Sequence, residues 1–237
     1  MLDNIRIVLI ETSHPGNIGS AARAMKTMGL KHLYLVAPKL FPHHKANEMA
    51  SSAVDVLENA IVVNELDEAV ADCNLVIGTS TRSRTIPWPI LSPRQLAEQV
   101  RAESGAVQTA IVFGREQSGL TNEELHRCHA HVQIPANAEY SSLNLAAAVQ
   151  VIAYELQVAS LTESTPVKWD YPLATVKELE GFYAHLERVL TDLDFLNPPR
   201  QLMARLRRLF SRSRLDMMEV NILRGILGAV EKAKNKT

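Results

Sequence analysis

Short apolar runs alternate with segments of helical periodicity over the first two thirds of the chain. The apolar runs have the length and β-branched content of buried strands, and they occupy residues 5–11, 32–36, 61–63, 74–79, 109–113 and 131–134. Helical spacing of apolar residues fills the intervals, at 20–28, 49–59, 67–73, 93–103, 122–128 and 143–159. Because strands separated by helices are joined by crossovers, this pattern predicts an α/β fold with a parallel sheet flanked by helices.

The pattern changes near residue 160. Residues 161–172 are polar and contain two prolines, which is typical of a linker. Beyond them, apolar residues recur at helical spacing, Asn197-Pro198-Pro199 interrupts the pattern, and two further basic helical segments follow. We therefore expect a main domain over residues 1–160 and a small all-helical extension over 173–237.

Charge is distributed unevenly along the chain. The formal net charge is only -1, yet residues 200–237 hold ten basic and three acidic residues, a net charge of +7. No apolar run reaches the roughly 20 residues of a membrane helix, and residues 1–6 lack the apolar block of a secretory signal. We expect a cytoplasmic protein, in which Cys73 and Cys128 are reduced and have no catalytic role.

Ligands of open α/β sheets bind at the carboxyl ends of the strands, so four loops are candidates: residues 12–19, 80–89, 114–120 and 135–142. The first has two glycines before a helix but lacks the leading G-x-G of a dinucleotide fingerprint, and the second strand is not followed by an acidic residue. No phosphate-binding G-x-x-x-x-G-K-[ST] motif occurs. These observations disfavour a nicotinamide-dependent dehydrogenase and a P-loop nucleotidase.

Four blocks in these loops resemble the SPOUT methyltransferases, and specifically the TrmJ-type tRNA (cytidine/uridine-2'-O-)-methyltransferases of bacteria. The blocks are ETSHPGNIGSAARAMKTMGL, TSTRSRTIPWP, FGREQSGLTNEEL and EYSSLNLAAAVQVIAYE. The resemblance is close over residues 1–160 and extends to the helical extension only in character. It implies a C-terminal trefoil knot in the sheet domain, a rare exception to unknotted chain connections.

The resemblance also implies the cofactor, the partners and the reaction. S-adenosyl-L-methionine would bind in the knot loops of a homodimer, and tRNA would be methylated on the 2'-hydroxyl of nucleotide 32. It suggests that each active site takes Arg23 from the other protomer. The cofactor-binding residues that it implies are Thr79, Ser80, Thr81, Gly114, Arg115, Ile134, Ser141, Ser142 and Leu143.

Three residues are candidates for catalysis: Arg23, Asn17 and Ser142. An exposed arginine on an amphipathic helix is often merely solvated, but the resemblance favours a functional Arg23. A guanidinium does not release its proton at ordinary pH, so we expect Arg23 to clamp the phosphate beside the target ribose while a phosphate oxygen or Ser142 accepts the proton. Asn17 orders its loop or contacts the substrate. Of the two serines before the long helix, we expect Ser141 mainly to cap it and Ser142 to face the site.

Further arginines are candidates for contacts with tRNA. Arg82 and Arg84 follow the cofactor strand, and Arg205 and Arg208 belong to the basic extension, where they would neutralise phosphates or form an ordinary solvated face. Arg115 would contact the substrate or form an ion pair within its loop, and we favour contact. The apolar stripe of the extension could equally form a dimer contact.

Histidines and a cysteine crowd together at His126, Cys128, His129 and His131, but their spacing matches no standard zinc pair, and we expect no metal. Two alternatives to the methylation of nucleotide 32 stay open. One is a related 2'-O-methyltransferase that modifies rRNA or another tRNA position, and the other is a non-catalytic RNA-binding homologue.

Overall fold

A seven-stranded parallel sheet forms the centre of the protein. The computed structural model describes residues 1–80, 90–103, 107–137, 139–162, 169–196 and 199–234. In these residues the strand order is β3-β2-β1-β6-β4-β7-β5, and every pairing is parallel, which confirms the predicted sheet. The strands are β1 (Ile5–Ile10), β2 (His32–Val36), β3 (Ile61–Val63), β4 (Leu75–Thr79), β5 (Ile90–Leu91), β6 (Thr109–Phe113) and β7 (Ala130–Val132).

Helices cover both faces of this sheet. Along β1, Ile7 and Leu9 pack on one helix layer, whereas Val8 and Ile10 pack on the other. Burial on both faces explains why the strands are continuously apolar rather than alternating. The helices of this domain are α1 (Pro15–Thr27), α2 (His44–Ala50), α3 (Val54–Glu58), α4 (Leu66–Val70), α5 (Pro93–Ala102), α6 (Asn122–His126) and α7 (Leu145–Ser160).

Helix α1 begins five residues earlier than the sequence pattern predicts. The prediction of a loop over residues 12–19 is wrong from Pro15 onward, because this proline occupies the first turn, where its fixed φ suits a helix. The N-cap residue, His14, makes no capping hydrogen bond through its side chain. The carboxylate of Glu116 accepts the N–H groups of Ser13 and His14 instead, and this distant partner is invisible in the local sequence.

Two further differences concern a divided helix and an additional strand. The single helix expected over residues 49–59 is divided into α2, a 3-10 turn (Ser51–Ala53) and α3, because Ser51 adopts a φ of 51° that no continuous helix accommodates. Strand β5 was not predicted because it has two residues. It pairs with β7, with Ile90 opposite His131.

The C-terminal region is helical, as predicted, and has a core of its own. It comprises α8 (Val176–Asp192), α9 (Pro199–Ser213) and α10 (Met217–Lys234). Phe182 is 1% exposed and packs edge-on against Phe210, with ring centroids 5.0 Å apart. The region contacts the sheet domain through Arg214, which donates to Glu103 at 2.6 Å. Among the described residues, no helix combines the length and apolar character that a membrane crossing requires.

Candidate active site

A cavity of about 270 Å³ opens at the carboxyl ends of β4, β6 and β7. Three loops build it: the end of β4, the loop after β6, and the segment between β7 and α7. Its lining combines apolar side chains with hydroxyls and exposed backbone. The lining residues are Thr79, Ser80, Phe113, Gly114, Arg115, Glu116, Gln117, Ser118, Gly119, Leu120, Val132, Ile134, Ser141, Ser142, Leu143, Leu145 and Ala148.

The cavity brings together most of the residues that the sequence associates with a cofactor. Thr79 ends β4 and Ser80 follows it, Gly114 and Arg115 belong to the β6 loop, and residues 134 and 141–143 belong to the segment before α7. Thr81, Arg82 and Arg84 lie outside the described residues. The parallel sheet explains the convergence, because the carboxyl ends of neighbouring parallel strands meet at one edge.

The loop after β6 folds back on itself at Gly114. A Cβ on this residue would lie 2.1 Å from the carbonyl carbon of Gly119 and 2.3 Å from the nitrogen of Leu120, so only glycine fits. Arg115 and Gly119 exchange backbone hydrogen bonds of 2.9 and 3.2 Å, and Gly119 has a φ of +69°. The glycines therefore shape a tight loop whose backbone forms one wall of the cavity.

Glu116, in this loop, ties the cavity to the amino end of α1. Its carboxylate accepts hydrogen bonds from the backbone and hydroxyl of Ser13, from the N–H of His14 and from the side-chain amide of Asn17, at 3.1 to 3.3 Å. Burial opposes the charge, but the hydrogen bonds outweigh it and the pKa of Glu116 is lowered. A carboxylate at a helix amino end is also favoured by the helix dipole.

The same network continues to α7. Asn144 donates to the side-chain oxygen of Asn17 at 3.0 Å, and its own oxygen accepts the N–H groups of Ala146 and Ala147. Asn144 is thus the N-cap of α7, and the prediction that Ser141 caps this helix is wrong. The helix begins two residues later than the pattern suggests, so Ser141 and Ser142 both remain in the exposed loop that lines the cavity.

Sequence reasoning missed the roles of Glu116 and Asn144. Asn144 carried a usable signal, because asparagine directly before an apolar helical run is a favoured N-cap. Glu116 carried none, since its partners lie about 100 positions away along the chain.

Arg115 is held by two carboxylates. Its guanidinium donates to Glu124 at 3.0 and 3.1 Å and to Glu11. Hydrogen bonds from Arg115 and Lys39 lower the pKa of Glu11 to about 2, and the pKa of Arg115 is raised by Glu124 and Glu11. This arrangement favours the loop ion pair over the substrate contact for Arg115, because its charge is already compensated.

Arg23 lies apart from the cavity. It is exposed on α1, six residues after Asn17 and hence about 9 Å further along the helix axis. No hydrogen bond or ion pair reaches its guanidinium from the described part of the chain. Gly19, one turn before it, packs directly on α2, and a Cβ there would lie 2.0 Å from the carbonyl oxygen of Ala46. The position of Arg23 is thus fixed by the packing and capping of α1.

The histidine and cysteine cluster serves the fold. Nδ1 of His129 accepts the N–H of Val76 at 3.0 Å, and burial lowers the pKa of His129 to about 3, so that the ring stays neutral. The thiols of Cys73 and Cys128 are buried, and burial raises the pKa of Cys73 to about 12. Thiols in such surroundings are unreactive.

Three arginines of α9 differ in their surroundings. Arg207 donates to Glu180 at 2.5 and 2.8 Å and lies 4.4 Å over the ring of Tyr183, so it stabilises the helical core. Arg205 is exposed on α9, whereas Arg208 on the same helix is half-buried.

Comparison with known proteins adds independent observations. The SpoU rRNA methylase family matches residues 4–154, and the C-terminal domain of tRNA methyltransferase TrmJ matches residues 177–237. The chain is 54% identical over 241 residues to the tRNA (cytidine/uridine-2'-O-)-methyltransferase TrmJ of Pectobacterium atrosepticum, and the match covers 100% of both chains.

Two solved structures are similar in fold. TrmJ from Z. mobilis is 36% identical, with a TM-score of 0.83 over 95% of this chain and 98% of that one. The SpoU methyltransferase AviRb from Streptomyces viridochromogenes, in complex with the cofactor AdoMet, is 22% identical, with a TM-score of 0.54 over 68% of this chain and 62% of that one.

Proposed function

The chain belongs to the SpoU methylase family and carries a TrmJ C-terminal domain. We therefore propose that it methylates tRNA on the 2'-hydroxyl of nucleotide 32, a cytidine or uridine, with S-adenosylmethionine as the methyl donor. The observation that carries the proposal is the cavity where three loops place their cofactor-type residues side by side. The tRNA specificity named for the full-length relative supports the substrate.

The lining of the cavity suits this cofactor. Leu120, Val132 and Ile134 offer apolar surface for a flat base, while the hydroxyls of Thr79 and Ser80 offer polar partners. The methyl group of S-adenosylmethionine is bound to a positively charged sulfur and is therefore already activated. The protein has to align the 2'-hydroxyl with this methyl and to accept the proton.

Arg23 supplies the alignment in this proposal. It donates two parallel hydrogen bonds to the phosphate beside the target ribose, and its compensating partner is therefore the RNA rather than a protein carboxylate. Ser142, exposed at the cavity, or a phosphate oxygen accepts the proton. Asn17 holds the amino end of α1 in place through Glu116 and Asn144.

We place the active site at the interface of a homodimer. Arg23 does not line the cavity of its own chain, which supports donation of this residue to the partner's cavity. We also propose the trefoil knot for the C-terminal part of the sheet domain. A mixed dimer of Arg23→Ala and Ser142→Ala subunits tests the sharing: one intact site should restore activity, whereas inactive mixed dimers would contradict it.

The proposed domain division is residues 1–160 for catalysis, 161–172 as linker and 173–237 for tRNA binding. In this proposal Arg205, which is exposed on α9, and Arg208 contact phosphates. Arg207 and Arg214 form ion pairs with Glu180 and Glu103. Phosphate contacts of this kind strengthen binding without reading sequence.

The decisive experiment is transfer of labelled methyl from S-adenosylmethionine to unmodified tRNA, with mass-spectrometric mapping of the product. Arg23→Ala should lower the rate about 100-fold or more, because the hydroxyl loses its alignment. Lys26→Ala is the matched control, since Lys26 is an exposed cation of the same helix that pairs with Asp55 at 2.7 Å. Methylation at another nucleotide, or of rRNA only, would contradict the assignment of tRNA nucleotide 32 as the substrate. Cofactor and tRNA binding without any transfer would indicate the non-catalytic alternative.

A further inference from the structure

Tyr140 directly precedes three consecutive residues that line the cavity. Its side chain is among the most exposed large ones in the described residues, with 80% of the residue surface accessible. The N–H of Tyr140 donates to the carbonyl oxygen of Asn137 at 3.0 Å, and the side-chain oxygen of Asn137 accepts the N–H of Glu139 at 3.0 Å. The backbone N–H of Tyr140 is therefore hydrogen-bonded, while its side chain is largely accessible.

The ring lies next to the reaction site in the chain. Ser141, Ser142 and Leu143 follow directly and line the cavity, and consecutive Cα atoms are only about 3.8 Å apart. Asn144, the next residue, is hydrogen-bonded to Asn17 on the helix that carries Arg23. Tyr140 is therefore adjacent in the chain to the lining of the cavity, which a nucleotide has to approach in order to present its ribose.

The surroundings of Tyr140 favour a nucleic-acid base over a protein surface as its partner. Glu139, Ser141, Ser142 and Asn144 are all exposed and polar. Apolar protein interfaces are contiguous patches, whereas within the described residues 139–144 only Tyr140 and Leu143 expose large apolar side chains. Single aromatic rings of this kind bind unstacked RNA bases, because each base offers a flat face.

We propose that Tyr140 is the stacking platform for the base of the target nucleotide, turned out of the tRNA loop so that its ribose enters the cavity mouth. This inference rests on the proposed function and extends it to a residue that positions the substrate. Stacking is tolerant of base identity, so a platform explains how one site accepts both cytidine and uridine without a contact that reads the exocyclic group.

The test uses the full-length protein and two tRNAs. One is unmodified, and the other carries an abasic ribose at the methylated nucleotide, as located by mapping, which retains the 2'-hydroxyl. Tyr140→Ala, Tyr140→Phe and the control Tyr171→Ala, which removes another exposed ring, are compared for kcat/KM on each tRNA. Cofactor affinity and oligomeric state are measured alongside.

Tyr140→Ala should lower kcat/KM on the unmodified tRNA about 5- to 150-fold, whereas Tyr140→Phe and Tyr171→Ala should retain it. The abasic tRNA should be a poorer substrate of the wild-type protein, and Tyr140→Ala should cause no further loss on it. Cofactor affinity should not change.

Three results would overturn the stacking role: full activity of Tyr140→Ala, an equal loss on both tRNAs, or a change of oligomeric state that reveals a protein contact. Failure of the proposed function is distinguishable, because the wild-type protein itself would then transfer no methyl to nucleotide 32.

Discussion

Gly19 offers a direct test of how the packing of α1 governs activity. The Gly19→Ala substitution adds one methyl group where the backbone of α2 leaves no room. The added carbon would lie 2.0 Å from the carbonyl oxygen of Ala46, and an ordinary contact needs at least 3.4 Å, so the two helices must separate by about 1.4 Å. Backbone cannot rotate away as a flexible side chain can.

The magnitude follows from this separation. Overpacking of this kind costs about 1–3 kcal/mol, which for a chain of this size corresponds to a Tm lower by about 2–12 °C. Because a misplacement of about 1 Å reduces catalysis roughly 100-fold, methyl transfer should fall by about that factor when α1 carries Arg23 out of position.

Thermal unfolding and the methyl-transfer assay measure the two effects separately. Gly181→Ala is the matched control, since Gly181 lies within α8 with no heavy atom within 4 Å of its added Cβ. It should raise stability by about 0.5–1 kcal/mol and leave transfer unchanged. An unaltered Tm for Gly19→Ala would refute the close packing, and a lowered Tm with full activity would refute the link between α1 and Arg23.

Three further predictions concern charge. Glu116→Gln should lower transfer about 10- to 150-fold, because it replaces an acceptor of charge-assisted hydrogen bonds, whereas Glu98→Gln, at an exposed residue of α5 that does not line the cavity, should not. The pKa of His129 is about 3 in the folded protein and about 6.5 in the unfolded chain, so between these values only the unfolded chain binds the proton. As pH falls from 6.5 towards 3, the free energy of unfolding should therefore drop by up to about 1.4 kcal/mol per pH unit. Denaturant titrations at pH 6.5 and 5 should show a shallower drop for His129→Asn. Arg207→Gln should lower Tm. Arg205→Gln should leave Tm unchanged and should reduce the slope of log K for tRNA binding against log salt concentration by about one.

The sequence predicts what depends on local pattern. Apolar runs and their spacing were sufficient for the parallel sheet, because burial on both faces leaves a continuous apolar signal along strands such as β1. The strand-end rule singles out the candidate loops, and the sheet brings the ends of β4, β6 and β7 together. The individual cofactor-type residues within those loops were implied by the family resemblance and stay a prediction.

Contacts between distant segments were not predictable. The amino end of α1 is hydrogen-bonded by Glu116, about 100 residues away, which no local pattern indicates. Pro15 in the first turn was a local start signal that the prediction of a loop over residues 12–19 overlooked. The pattern predicts a helix start at Leu143, directly after Ser141 and Ser142, and only the observed start at Leu145 makes Asn144 the cap. The ion pairs of Arg115 were foreseen only as an alternative, since an isolated arginine gives no sign of its partners.

The carboxylate of Glu116 has a thermodynamic consequence. It belongs to the loop that lines the cavity, and it also holds the helix that carries Arg23. If S-adenosylmethionine in the cavity orders this loop, the amino end of α1 also loses conformational freedom before tRNA binds. The entropic cost of binding tRNA is then smaller, so the two substrates should bind with positive cooperativity. Linkage is reciprocal: tRNA should then tighten cofactor binding by the same factor, and Glu116→Gln should reduce that factor towards one.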